Sequence, residues 1–244
     1  LQVRGLLYNA NAMVCDGRLL GFACKRYLAG DGVHYEPRWF RAWPRGGRST
    51  VQVRGNAVLV GDVVFELDGV RVGFEICEEA WVAQRPGADL AARGVDVVLN
   101  PSASHFAFGK HTVRERFVLE GSRAFSSAYA FANLLGNEAG RLIYDGDTLL
   151  AAGGSLLACA PRLRFHEVTV THAVVDLDHL RLQRARTPSF QASPLEEPDD
   201  TLRVDFAWPP ATLEPSRSAP PPGPPPDPET EKLEGFTRAI ALAL

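Results

Sequence analysis

Hydrophobic and polar residues alternate with a period of two along much of the chain, and several of these runs stop at a turn dipeptide. Leu6–Val14 and Leu19–Cys24 flank Asp16-Gly17, which predicts a hairpin. Val63–Leu67 and Val70–Ile76 flank Asp68-Gly69 and predict a second one. In that hairpin Val70, Val72, Phe74 and Ile76 share a face, so a strand with one buried side is expected. Val95–Leu99 reads as a short buried strand. Tyr129–Leu135, Thr148–Ala152 and Ser155–Cys159 read as further strands, the last two joined through Gly153-Gly154, and Val168–Val175 alternates in the same way.

Helical spacing is rarer. Pro86–Arg93 predicts a short helix with proline at its start. Between Lys110 and Ala128 the residues Val113, Phe117, Val118, Gly121, Ala124 and Phe125 recur as an inward face. Asp178–Ala185 predicts another helix. Residues 26–50 carry glycine, proline, tryptophan and arginine without periodicity and are expected to form an ordered loop over a site. Strands dominate, with helices interleaved. The expected fold class is therefore α/β, with mixed sheets covered by helices on a face rather than a purely parallel sheet.

Beyond about Pro188 the composition shifts. Pro209 to Pro228 is dense in proline, which favours extended polyproline II and builds no core. A semi-rigid interdomain linker is the expectation, ahead of a peptide ligand for an SH3-type domain. Glu231–Leu244 is amphipathic and stops in mid-helix. The domains expected are 1–190 as the folded unit, 191–228 as an extended tail and linker, and 229–244 as the start of a helix. A first residue that is leucine, inside a strand, suggests a piece of a longer protein.

Bulk properties narrow the partners. The 244 residues are 45% hydrophobic, enough for one sizeable core. A net charge of -3 offers no basic footprint for nucleic acid. No apolar run reaches membrane-spanning length, and no signal peptide opens the chain. Cys15, Cys24, Cys77 and Cys159 form no CxxC pair and have no histidine at metal-ligand spacing, which fits a reduced, cytoplasmic protein without a metal.

The candidate chemistry centres on Gly73-Phe74-Glu75-Ile76-Cys77-Glu78-Glu79-Ala80-Trp81. A lone cysteine stands where an alternating strand runs into a carboxylate-rich turn, the kind of rigid, exposed support a nucleophile needs. An isolated cysteine is more often a buried structural residue. Here the surrounding words decide: Leu7-Tyr8-Asn9, the block Lys25 to Phe40, the elbow itself, Asn100 to His105, and Tyr144-Asp145-Gly146. In that order and at those spacings they resemble the nitrilase, or carbon–nitrogen hydrolase, superfamily. The closer resemblance is to the glutaminase domains of glutamine-dependent NAD synthetases, over most of residues 5–190.

That resemblance implies an α-β-β-α sandwich of two face-to-face sheets between helical layers; the periodicity alone does not give the second sheet. It implies Cys77 as nucleophile and Lys25 as the triad lysine, set beside thiolate and oxyanion. Glu75, Glu78 and Glu79 crowd Cys77 with negative charge, which disfavours a thiolate, so a compensating cation is required. Glu36 matches a glutamate that supports the lysine, and the backbone N–H of Glu78 is the expected oxyanion donor. Ser104 and Lys110 match positions that contact the amino-acid end of glutamine. Lysine there holds a carboxylate as a point charge, without the fork of arginine. The third triad member, a general-base glutamate, falls ahead of residue 1, so as written the chain is expected to be a weak or inactive hydrolase. His34 and His105 receive no role. The resemblance further implies glutamine as substrate, ammonia passed to a synthetase domain, and a homo-oligomer. No cofactor is expected in this segment; ATP and Mg2+ belong to the synthetase domain, whose phosphate-binding loop is absent here. A stand-alone amidase or nitrilase of the same superfamily and a non-catalytic module of this fold are the alternatives.

Overall fold

Asp16 and Gly17 sit at φ 48° and 72°, the left-handed pair that an Asp-Gly hairpin turn requires. A computed structural model describes residues 1–138, 141–192, 201–208 and 227–244. A short ribbon, β1 (Gln2–Val3) and β2 (Leu6–Leu7), leads into the hairpin β3 (Ala10–Cys15) and β4 (Arg18–Cys24). The loop expected over 26–50 is largely as read. It contains one helical turn, α1 (Glu36–Trp39), and gives way at its end to β5 (Arg48–Val53), which pairs with β6 (Asn56–Gly61). These two strands escaped the sequence reading, although Arg54-Gly55 takes the same left-handed turn conformation.

Asp68 and Gly69 close the second hairpin between β7 (Val64–Leu67) and β8 (Val70–Phe74). The helix α2 (Pro86–Ala92) and strand β9 (Val97–Ser102) follow, then α3 (Lys110–Ala124) and β10 (Ala128–Asn133). A small ribbon, β11 (Leu135–Glu138) with β12 (Leu142–Asp145), precedes the hairpin β13 (Thr148–Ala152) and β14 (Ser155–Ala160). The remaining elements are α4 (Leu177–Arg186), β15 (Thr201–Val204) and α5 (Pro228–Ala243).

Seven strands form one mixed sheet in the order β14-β13-β10-β9-β8-β7-β15, with β8, β9 and β10 parallel. A four-stranded sheet runs β3-β4-β6-β5. On one face of the large sheet Val98, Tyr129, Phe131 and Leu149 pack with Leu90 of α2 and with Val118 and Phe125 of the α3 region. On the other face Phe65 joins Ala23, Val63, Met13, Leu59 and Leu202, which cements sheet to sheet. The sheets approach closely at Gly21, where a Cβ would lie 2.6 Å from Leu202 Cδ1 and 3.1 Å from Phe65 Cε1. This is the mixed α/β, sheet-on-sheet arrangement expected.

Four expectations need correction. The strand through Val70–Ile76 buries both sides: Val72, Gly73, Glu75 and Ile76 are all buried, because β8 lies inside the sheet with a layer on each face. On α3, Val113 and Ala124 are exposed and Arg114 is fully buried, drawn inward by Asp145 and Asp147. Val168–Val175 alternates but is not a strand. Val168, Val170 and Val174 face outward, while Ala173 and Val175 lie with Val97, Ala130 and Leu150 along a sheet face, where no ladder partner exists. Finally, part of the segment read as extended tail joins the sheet, since β15 runs parallel to β7 and the Trp208 indole N–H donates to the Leu67 carbonyl at 2.9 Å. The proline-dense stretch lies almost wholly outside the described residues.

Candidate active site

Strand β8 ends at Phe74, and three residues later Cys77 turns to φ 50°, opening a 3-10 turn over Cys77–Ala80. A left-handed backbone at a residue with a Cβ costs about 1–2 kcal/mol. It is held by Glu79, whose carboxylate accepts the Ile76 N–H at 2.6 Å and the Arg26 N–H at 2.5 Å. Cys77 is half-buried, so its thiol is presented at the end of a rigid strand. The Glu78 N–H belongs to the first turn of this element, where backbone donors have no intrahelical acceptor.

Lys25 follows directly on β4. Its side chain is 1% exposed, and Nζ meets Glu36 Oε2 at 2.5 Å. Glu36 is itself fixed by Asn9 Nδ2 at 2.7 Å and by the Ala29 N–H at 2.6 Å. An ammonium taken out of water is tolerated when its counter-charge is this well satisfied. The surface lysine that base rates favour is therefore not what the fold contains.

The two halves lie close to one another, linked by the Glu79–Arg26 hydrogen bond. Burial, the largest influence, raises the Glu78 carboxyl pKa; Lys25 and Lys110 oppose that, while Asp31 and Glu36 add to it. Lys110 stands at the start of α3, over the Trp81 ring at 5.4 Å. Burial lowers its pKa, with Arg114 adding to the effect and Cys77 opposing it. The cation within electrostatic reach of Cys77 thus includes Lys110, which the sequence assigned to substrate alone. Glu79 is buried and its carboxyl is pushed up to about 7 despite its two backbone donors.

Ser104 is buried, and its peptide is gripped on both sides. Its N–H donates to Asn133 Oδ1 at 2.8 Å, and its carbonyl accepts from Asn133 Nδ2 and from an Arg114 guanidinium nitrogen at 2.9 Å each. Arg114 Nη1 donates to both carboxylate oxygens of Asp145, at 2.9 and 2.7 Å. Behind the elbow Glu75 accepts from Arg85, Gly87 N–H and Tyr129, and Tyr129 in turn accepts from Asn100 at 2.8 Å. Asn9, Glu79, Arg114 and Asn133 all passed unremarked as functional positions. Only Asn9, inside a motif, and Glu79, inside the elbow, carried any local signal.

His34 Nε2 lies 3.0 Å from His105 Nδ1, next to Lys110. Burial first, then Lys110 and His34, lowers the His105 pKa.

A cysteine elbow beside a buried Lys–Glu pair is thus carried on a fold that a solved carbon–nitrogen hydrolase shares. A solved carbon–nitrogen hydrolase from Helicobacter pylori has the same fold, with a TM-score of 0.59 over 77% of this chain and 63% of that one at 18% identity. By sequence, the chain is similar to glutamine-dependent NAD(+) synthetases. The one from Mus musculus is 30% identical over 214 residues, covering 84% of this chain and 30% of the relative. The solved glutamine-dependent NAD(+) synthetase from Cytophaga hutchinsonii is 45% identical with a TM-score of 0.63, over 68% of this chain and 27% of that one. The chain thus spans less than a third of the length of these relatives. No family model matches it.

Proposed function

We propose that the chain hydrolyses the side-chain amide of glutamine through a Cys77 thioester. The ammonia then feeds an ATP-dependent domain that makes NAD from nicotinic acid adenine dinucleotide. The carrying observation is the buried Lys25–Glu36 pair set beside a left-handed cysteine elbow. In this reading Cys77 Sγ attacks the amide carbon, and the C–N bond breaks as the nitrogen leaves protonated. Water then cleaves the thioester to glutamate and the thiol. Lys25 and the Glu78 N–H stabilise the oxyanion of each tetrahedral intermediate. Glu36 is engaged by three donors, which suits a supporting role rather than that of the base.

Opposite charges on Lys110 and Glu78 beside the thiol suit the carboxylate and ammonium of an amino acid, which favours glutamine over a simple amide or nitrile. Ser104 completes the substrate end. ATP and Mg2+ would serve the synthetase domain alone. We place the protein in the cytoplasm as a homo-oligomer; the four free cysteines suit a reducing compartment, and no helix among the described residues is long and apolar enough to cross a membrane.

The test is covalent trapping with a diazo-ketone analogue of glutamine. A single adduct on Cys77 by mass spectrometry, blocked by glutamine and absent in Cys77→Ala, is expected. Equal labelling by a diazo ketone lacking the amino-acid end would favour a general amidase instead.

A further inference from the structure

Asp31, His34 and His105 bring three ligand atoms within 4.8 Å of one another, next to Lys110. The nitrogens of the two imidazoles are 3.0 Å apart, with ring centroids at 5.2 Å and planes tilted by 40°. Two nitrogens bound at about 2.0–2.1 Å to one tetrahedral ion stand about 3.4 Å apart. The pair therefore needs to open by only a few tenths of an ångström.

Each ligand is braced by its backbone. Asp31 Oδ1 accepts the N–H of Val33 at 3.1 Å and of His34 at 2.9 Å, which sets the carboxylate beside the imidazoles. The His105 carbonyl accepts from Arg114 at 3.2 Å, and His105 bridges to Tyr144 in antiparallel register. Two segments far apart in sequence are thus fixed independently and meet at this point.

We propose that Asp31, His34 and His105 form a site for a divalent transition metal of the Zn2+ type. Two imidazoles and one carboxylate suit Zn2+, Co2+ or Ni2+ better than Mg2+ or Ca2+, which prefer oxygen ligands. A fourth position is left for water. The neighbour that opposes the ion is Lys110, whose Nζ lies 3.2 Å from both ring nitrogens of His105. Metal and ammonium therefore repel, and each weakens the other's hold on the site. If Lys110 also holds the substrate carboxylate, metal and glutamine are antagonists, and linkage makes the effect reciprocal. That last step rests on the function proposed above; the metal site does not.

The experiment is a titration of the protein with Co2+, read by visible ligand-field absorption. One equivalent with a tetrahedral-type spectrum is expected, displaced by Zn2+. His34→Ala should abolish it, and the exposed-site variant Asp31→Asn should weaken it about 10-fold or more, with circular dichroism unchanged in both. Cys77→Ser should leave it intact, and Lys110→Met should tighten it. Absence of bound cobalt, binding indifferent to His34→Ala and Asp31→Asn, or binding lost in Cys77→Ser would each overturn the assignment. Cobalt that binds as described but is indifferent to glutamine would leave the metal site standing and count against the substrate role of Lys110.

Discussion

Glu79 reaches from the elbow to the backbone N–H of Arg26 at 2.5 Å, so one buried carboxylate ties the peptide after Lys25 to the turn that carries Cys77. Its second oxygen holds the Ile76 N–H, one residue before the thiol. The relative position of lysine and cysteine is thereby set by a side chain that takes no part in the chemistry itself.

That carboxyl makes stability depend on pH. Its folded value of about 7 lies above its usual 4.5, so the folded state holds the proton more tightly than the unfolded chain. The associated stability is fully present below about pH 4.5 and declines as pH rises through 7, by on the order of 3 kcal/mol. Glu79→Gln should lower stability in acid, through a lost acceptor, and flatten the slope between those limits. Denaturant melts of both proteins across that window test this; parallel slopes would refute it.

Cys77 offers a separation of stability from activity. Glycine at this position adopts φ 50° without a Cβ penalty, so Cys77→Gly should be about 1 kcal/mol more stable than Cys77→Ala. Both should lack glutamine hydrolysis. Urea midpoints and ammonia release measure the two properties independently.

Removing the charge of Glu36 should strand Lys25. Glu36→Gln is expected to cost about 3 kcal/mol, the lower end of the range for breaking a buried pair, because the Glu36 side chain keeps 18% exposure. Hydrolysis should fall about 10²-fold or more as the ammonium loses its place. Lys25→Met should lose at least as much activity while leaving less uncompensated charge. If Glu36→Gln kept the parent's activity and stability, the supporting role would be wrong.

Asn133→Ala should loosen Ser104, whose N–H and carbonyl both rely on that amide. An unsatisfied buried peptide costs about 1–3 kcal/mol. On the proposed function the amino-acid end of glutamine meets this peptide, so KM for glutamine should rise more than kcat falls. Steady-state ammonia assays decide between that split and a uniform loss.

Features with local causes could be read from the chain. Asp16-Gly17 and Asp68-Gly69 demand left-handed turns wherever they stand, so both hairpins were legible. Cys77, Lys25 and Glu36 were legible because their words resemble a known family, not because spacing alone brings 25, 36 and 77 together. Arg114 was not, since its inward turn depends on Asp145 and Asp147, more than 30 residues away, and a charged residue on a helix ordinarily reads as solvated. Val168–Val175 carried the right period but no sign of which face meets protein. The convergence of Asp31 and His34 with His105 was hidden for the same reason: only the folded loop and the strand end bring them together.

The strand β15 has a consequence for how this polypeptide can be shortened. Its four residues lie along β7 and wedge Leu202 between the sheets. A protein cut where the composition first changes, near Pro188, would leave the β7 backbone unpaired and an apolar slot open above Gly21. Bare strand edges of that kind recruit other chains. The smallest piece that stays dispersed in solution should therefore run past Val204, and a shorter one should form oligomers or precipitate through that margin.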